Sequence, residues 1–486
     1  MSGWIILSTI LAYFTLLLFI SWFKSRKHTD NNAFFLAGRK SPWYVVAFGM
    51  IGASLSGVSF VSVPGLVRQI DMTYMQMVFG FFFGYIVVAQ ILLPLYYRLN
   101  LISIYSYLEK RIGRYGYKTG ASFFIGSKLV GAASRLYLVV WILQTYVFDQ
   151  WRIPFEVTVI ISVLFVWLYT FRSGIKTILW TDTLQTFCLI GTLVAILWQV
   201  KNYMGLDITG VIQTISQNPH FRIFEWQDWS SKQHFVKQFF NGVFITIVMT
   251  GLDQDMMQKN LSCRNLKDAQ KNMYWYGLAF TPINFLFLCL GILLLVLASQ
   301  LQIELPVMGD DILPMFCSSG ILGHSVLVFF TVGIIAAAFS SADSALTALT
   351  TSFCMDILHS AKDHTEVSTK TRMLVHALMT VLFVITILIF RKINNRSMID
   401  AIYTIASYTY GPLLGLFAFG LFTKRSTKDK YVPLICIASP LICYVLNHVV
   451  YQLTGYLFGY EILILNGMIT FAGLTAINNK QLIINN

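Results

Sequence analysis

Thirteen apolar stretches of about 20 residues recur along the chain, each long enough to carry an α-helix across the roughly 30 Å hydrocarbon layer of a bilayer. They run over residues 3–23, 43–70, 73–97, 119–147, 154–172, 176–200, 235–258, 273–300, 323–358, 372–390, 399–423, 431–454 and 460–479. At about 20 residues each they occupy roughly 260 residues, more than half of the 486, and leave no room for a large soluble domain. Composition agrees: 56% of residues are apolar and 12% charged, against about 45–50% and about 25% in soluble domains. Most cytosolic enzymes and nucleic-acid-binding proteins are excluded, and so are outer-membrane barrels, whose strands alternate over about 10 residues. The expected fold is an all-α integral membrane protein, multi-pass in a cell inner (plasma) membrane and surrounded by lipid.

A net charge of +13 invites a nucleic-acid partner, but the position of the charges reads instead as topology. Twenty-four Lys and Arg residues fall in alternate loops: Lys24, Arg26, Lys27, Arg39, Lys40, Arg98, Lys110, Arg111, Arg114, Lys118, Arg172, Lys176, Lys259, Arg264, Lys267, Lys271, Lys362, Lys370, Arg372, Lys424, Arg425, Lys428, Lys430 and Lys480. The opposite loops hold seven: Arg152, Lys201, Arg222, Lys232, Arg391, Lys392 and Arg396. The positive-inside rule then puts the N-terminus outside and the C-terminus in the cytoplasm. The first stretch carries its positive charges after the apolar run, so it is expected to be a retained span and not a signal peptide. The seven cysteines show neither a disulfide framework nor metal-ligand spacing.

No Gly-Lys dipeptide exists to build an ATP-cradling loop, and neither a His-Glu-x-x-His helix nor a Gly-x-Ser-x-Gly elbow occurs. Polar chemistry sits inside the spans instead, where each uncompensated ionisable group costs about 2.5–3.5 kcal/mol and marks an ion path or site. The second span carries Gly52, Ser54, Ser56, Gly57, Ser59, Ser62, Pro64 and Gly65, which weaken a continuous helix. Either the helix is broken there, with freed carbonyls on a cavity or cation, or the small residues let helices pack closely. The ninth span adds Ser340, Ser341, Asp343 and Ser344. Serines alone read as bonds back to the preceding turn; the carboxylate makes that reading insufficient. Asp182, in the cytoplasmic part of the sixth span, is placed to share one ion with them.

These residues resemble the sodium/solute symporters, the family of sodium-coupled glucose, proline, iodide and sialic acid transporters. The resemblance rests on Phe35-Leu36-Ala37-Gly38-Arg39 before the second span, Ser173-Gly174-Ile175-Lys176 through Trp180-Thr181-Asp182-Thr183-Leu184-Gln185, and Ser340-Ser341-Ala342-Asp343-Ser344. It implies the leucine-transporter-like fold, two five-helix repeats of inverted topology, although no repeat is visible in the sequence itself. The organisation implied is a first helix and basic loop over 1–42, one repeat over 43–200, an outer loop over 201–234, the second repeat over 235–423 and extra helices over 424–486. It implies a sodium site of the Gly52, Leu55 and Ala337 carbonyls with the Ser340 and Ser341 hydroxyls. A second sodium, on Asp182, Ser341, Asp343 and Ser344, is preferred to a single ion.

Arg135, near the middle of the fourth span, needs a partner. That partner is an internal carboxylate, Asp182 or Asp343, or, in the preferred reading, a substrate carboxylate gripped by the planar fork; sialic-acid carriers of the family use an arginine in this region. Ser56, Ser59, Gln76 and Thr246 complete the expected substrate site, although several relatives have asparagine at the position of Thr246. Tyr403, Tyr408 and Tyr410 either stack on a sugar or pack. Lys128 is expected to snorkel to the surface without a role. Trp226, Trp229 and Phe221 suggest an interfacial helix within 201–233, and the run from Gly251 to Lys271 either an inner salt-bridge gate or a surface feature. The protein is thus expected to be a monomeric carrier and not an enzyme, taking up a small organic solute with Na+. An acidic sugar such as sialic acid comes first, then a neutral sugar or polyol, and last a non-transporting sensor or channel.

Overall fold

The computed structural model describes residues 3–25, 35–171, 174–358, 367–393 and 398–482. Arg26, Lys27, Arg172, Ser173, Lys362 and Arg396 lie outside the described residues. Where water cannot satisfy backbone groups the chain satisfies them within helices, and nearly every apolar stretch does so. Helix α1 (Gly3–Ser25) leads to a bent pair, α2 (Trp43–Ser54) and α3 (Gly57–Ile70), whose axes turn by 59°. Then come α4 (Tyr74–Arg98), the short α5 (Ser106–Arg111), α6 (Arg114–Leu143), α7 (Phe155–Thr170), α8 (Gly174–Tyr203) and a surface helix, α9 (Ile208–Ser216). A second bent pair, α10 (Phe235–Gly251) and α11 (Gln254–Leu261), turns by 65° and is followed by α12 (Leu266–Leu301), α13 (Ile312–Ser318), α14 (His324–Leu358) and α15 (Thr369–Ile393). The third, α16 (Met398–Thr409) with α17 (Gly411–Phe422), turns by 45° ahead of α18 (Val432–Thr454) and α19 (Ile462–Ala476). One departure from an all-α fold is a small antiparallel pairing of β1 (Arg425–Thr427) with β2 (Asn478–Leu482), in which Arg425 faces Leu482.

The break between α2 and α3 is made by Leu55 (φ −77°, ψ 75°) and by Ser56 in extended conformation. Close packing is equally real, one turn earlier. A Cβ on Gly52 would overlap the Thr186 hydroxyl, and one on Gly49 would meet Cβ of Asp182, so these two glycines set how near α2 lies to α8. The sequence alternatives for this span therefore both hold, at different ends of the segment. The two further breaks were not expected. At the α10–α11 bend the freed carbonyls find tyrosines: Tyr96 donates to Gly251 O at 2.9 Å and Tyr105 to Leu252 O at 2.8 Å. Asp253 then caps α11 by accepting from Asp255 N at 2.9 Å, a cap worth about 1 kcal/mol.

Helix α8 packs along both α2 and α14, α10 along α4, and α6 along α14 and α15, so the two halves of the chain interleave. Helix α1 closes one side, with Phe14 stacked on Phe165 at 4.3 Å and edge-on to Phe339 at 4.8 Å. Leu374, Val381, Ile385 and Ile389 on α15 and Leu441, Tyr444 and Val445 on α18 stay exposed, an apolar outer face that suits lipid. Two boundaries differ from expectation. The fourth span starts at Arg114, because the distant Asp429 carboxylate accepts from Tyr115 N at 2.8 Å and Gly116 N at 2.7 Å and satisfies its first turn. The helix of the outer loop is α9, capped by Asp207. Trp226 and Trp229 come after it in irregular chain, against Phe235 and His234.

Candidate functional site

The α2–α3 break, α6, α10, α11 and α16 converge on one cavity. Ser54, Ser56 and Ser59 line it from the break, Arg135 from α6, Thr246 from α10 and Tyr403 from α16. Hydroxyls form the wall: Tyr85 donates to Tyr276 at 2.9 Å, Ser54 hydrogen-bonds to Tyr276, and Tyr74 and Tyr403 hydroxyls lie 3.0 Å apart. Arg135 is half-buried, and among the described residues no carboxylate pairs with it.

Beyond Arg135 the cavity ends on a buried ladder of charges. Lys128 Nζ lies 3.1 Å from Asp253 Oδ2 and 2.8 Å from Asp255 Oδ2, and Tyr410 donates to Asp253 Oδ2 at 2.9 Å. Lys259 Nζ lies 2.8 Å from Asp182 Oδ2 and 3.8 Å from Asp255 Oδ1, with neither Lys259 nor Asp182 exposed at all. Two expectations are corrected here. Lys128 does not snorkel, because the bend at Leu252–Asp253 carries α11 and its carboxylates over it. Lys259 is no cytoplasmic loop charge, because the same bend turns it inward onto α8.

On α14, Ser340 Oγ donates to Asp182 Oδ1 at 2.6 Å and Ser344 Oγ to Asp182 Oδ2 at 3.3 Å. Ser341 faces the other way, donating to Ala53 O across the α2–α3 break at 3.2 Å and to Ala337 O at 3.3 Å. Each hydroxyl gives up its one proton and keeps lone pairs for a cation. Tyr169 donates to Asp343 Oδ2 at 3.0 Å, while the buried Oδ1 of Asp343 has no hydrogen-bond partner among the described residues.

The model of the sodium:solute symporter family matches residues 34–429. The chain belongs to this family. It is 24% identical over 445 residues to the sodium/sialic acid symporter SiaT of Proteus mirabilis (strain HI4320), covering 88% of this chain and 87% of that protein. With the sodium/glucose cotransporter of Vibrio parahaemolyticus the identity is 26%, over 85% of this chain and 78% of that one. In structure it is similar to a Na+-coupled sialic acid symporter solved substrate-bound and outward-open, with a TM-score of 0.81 at 20% identity over 98% and 99% of the two chains. The nucleobase-cation-symport-1 transporter MHP1 follows at 0.58 and 13% identity, over 92% and 95%. The fold is thus that of these carriers, and the protein is a multi-pass sodium-coupled symporter.

Of the expected substrate residues of this symporter, Ser56, Ser59, Arg135 and Thr246 line the cavity together. Gln76 does not. Its side chain is fully buried, donating to Thr73 O at 3.2 Å and Gln233 O at 2.8 Å and accepting from Glu225 N at 3.0 Å, so it fastens the outer loop. Tyr403 and Tyr410 reach the cavity, whereas Tyr408 lies beside Asn447 instead. The internal pairing weighed for Arg135 is not formed, since Lys259 holds Asp182 and Tyr169 holds Asp343. Of the expected sodium ligands, Gly52 and Leu55 stand at the break, Ser341 links it to α14 through Ala53 O and Ala337 O, and Ser340 turns to Asp182 instead. The second set comes together only as Asp182 with Ser344; Ser341 turns to Ala53 and Asp343 to Tyr169. Tyr85, Tyr276, Asp253 and Asp255 were not among the expected site residues. A signal existed only for the aspartates, in the run after the seventh span.

Proposed function

We propose that this symporter takes up an acidic sugar such as sialic acid, with the Arg135 guanidinium gripping the substrate carboxylate. The observation that carries the reading is a permanent cation facing the cavity that no carboxylate pairs with among the described residues. A planar fork of donors suits bidentate capture, and Ser56, Ser59 and Thr246 supply hydroxyls for the rest of a polyhydroxylated ligand. That two relatives at 24% identity are sodium/sialic acid symporters supports the same reading.

Sodium is placed at the break, on the Gly52, Leu55 and Ala337 carbonyls and the Ser340 and Ser341 hydroxyls. Carbonyl oxygens replace a hydration shell, and a helix break is where they become free. From outside, the ion would fasten α2–α3 against α14, favour the outward-open state and complete the cavity beside it. Substrate then binds, the halves rock, and low cytoplasmic sodium releases both unchanged. Each net charge moved inward down 100 mV supplies about 2.3 kcal/mol.

The membrane arrangement belongs to the same proposal. Seven long helices, three bent pairs and three shorter apolar helices correspond to the thirteen stretches. The bent pairs α2–α3 and α10–α11 open the repeats over 43–200 and 235–423. The loop charges put the N-terminus outside and the C-terminus in the cytoplasm.

The testing experiment is thermal stabilisation of the purified protein by sialic acids, neutral sugars, polyols and amino acids, each in sodium and in potassium. A sialic acid shift confined to sodium is expected; equal shifts by neutral sugars would install a neutral sugar or polyol as the substrate. Replacing Ser341 by Ala removes one oxygen from the ion and the hydrogen bond that ties α14 to the break. A single hydrogen bond is worth about 0.5–1.5 kcal/mol, so the sodium concentration for half-maximal binding should rise about 2- to 13-fold with folding little changed. Ser340→Ala should act in the same direction. A wild-type sodium curve in both variants would remove the ion from this place.

A further inference from the structure

Lys259 is an ammonium with no solvent exposure, and it sits among the oxygens that would otherwise serve a second sodium. Its Nζ is 2.8 Å from Asp182 Oδ2, the atom that also accepts from Ser344, while Asp182 Oδ1 accepts from Ser340 at 2.6 Å. An ammonium carries the same single charge as sodium and is drawn to the same oxygens, but it is fixed to the chain by a four-carbon stem. We propose that the Lys259 ammonium is a built-in cation of the Asp182–Ser340–Ser344 cluster, so that this transporter runs on one sodium ion and not two.

Two observations converge on this. The cluster is filled: a sodium on Asp182 Oδ2 would sit against a like charge in a fully buried site, where such repulsion is least screened. The donors are divided: Ser341, which a second ion would need, is turned to Ala53 and Ala337. Asp343 lies between Ser340 and Ser344 on α14, held by Tyr169, and its Oδ1, without a hydrogen-bond partner among the described residues, is where a second ion would go if Lys259 were absent.

The inference rests on the sodium-symport reading but not on the identity of the solute, so it is tested without solute. Purified ligand-free protein is melted over a sodium series at constant ionic strength, with choline as the balancing cation. At saturation the stabilisation rises with the logarithm of sodium concentration in proportion to the number of ions bound. The wild type is expected to give a slope of one ion. Lys259→Ala opens the cluster, and its slope should rise towards two. Should that variant fail to fold because Asp182 is left alone, the double variant Asp182→Asn/Lys259→Gln removes both charges, and a folded protein with a slope of one supports the proposal. A wild-type slope of two, a Lys259→Ala slope that stays at one, or a double variant indifferent to sodium would each overturn it. If sialic acid proves not to be the substrate, these slopes are unaffected.

Discussion

Replacing Arg135 by Ala should abolish the stabilisation of the protein by sialic acid at concentrations that saturate the wild type. Truncating one partner of a buried, hydrogen-bonded charge pair costs about 2–5 kcal/mol, which is roughly 30- to 5,000-fold in affinity. The fold should survive, because Arg135 is half-buried against the cavity and among the described residues pairs with no carboxylate. Sodium binding in the absence of solute should also survive, since Ser341 and the α2–α3 break are untouched. Arg135→Lys keeps the charge but loses the fork, so it should recover only part of the affinity. The measurement is the ligand-induced melting shift in sodium for wild type and both variants. A full shift in Arg135→Ala would make Arg135 structural and hand the site to a neutral solute.

Arg135 was legible in the sequence because a permanent charge in mid-membrane demands an explanation wherever it occurs. The same holds for the break in the second span, where glycine, serine and proline crowd together, and for Asp182 and Asp343 inside apolar stretches. What was not legible depends on one bend. Counting charges by loop treats Lys259 as cytoplasmic and Lys128 as free to snorkel, and both conclusions assume that the seventh span runs straight out of the membrane. At Leu252–Asp253 it turns by 65° and folds a basic, acidic helix back into the protein. No local run of glycine and proline announces that turn, since the carbonyls it frees are taken by Tyr96 and Tyr105, more than 140 residues away in sequence. Gln76 fails for a related reason: its partners belong to an irregular loop whose path only the folded chain defines.

The ladder itself carries the other large effect. Lys128→Ala would leave buried Asp253 without its ammonium and Asp255 with only Lys259 at 3.8 Å, and losing one partner of a buried ion pair destabilises by about 3–5 kcal/mol. The expected result is a marked fall in melting temperature, larger than for Arg135→Ala although both remove one cation from the same helix. The contrast follows from burial: Lys128 touches two carboxylates within 3.1 Å, and Arg135 touches none. Removing the whole set separates stability from transport. In the triple variant Lys128→Met/Asp253→Asn/Asp255→Met the charges go together, the asparagine keeps the cap of α11, and apolar replacement of a buried ion pair is often neutral or stabilising. Its melting temperature should therefore return towards the wild type. If the ladder is a gate that parts when this end of the cavity opens, uptake into vesicles should not return with it. A closed state held by charges that water can resolvate separates more readily than one held by packed methionines. Uptake restored along with stability would mean that the ladder only supports the fold and that the cavity opens elsewhere.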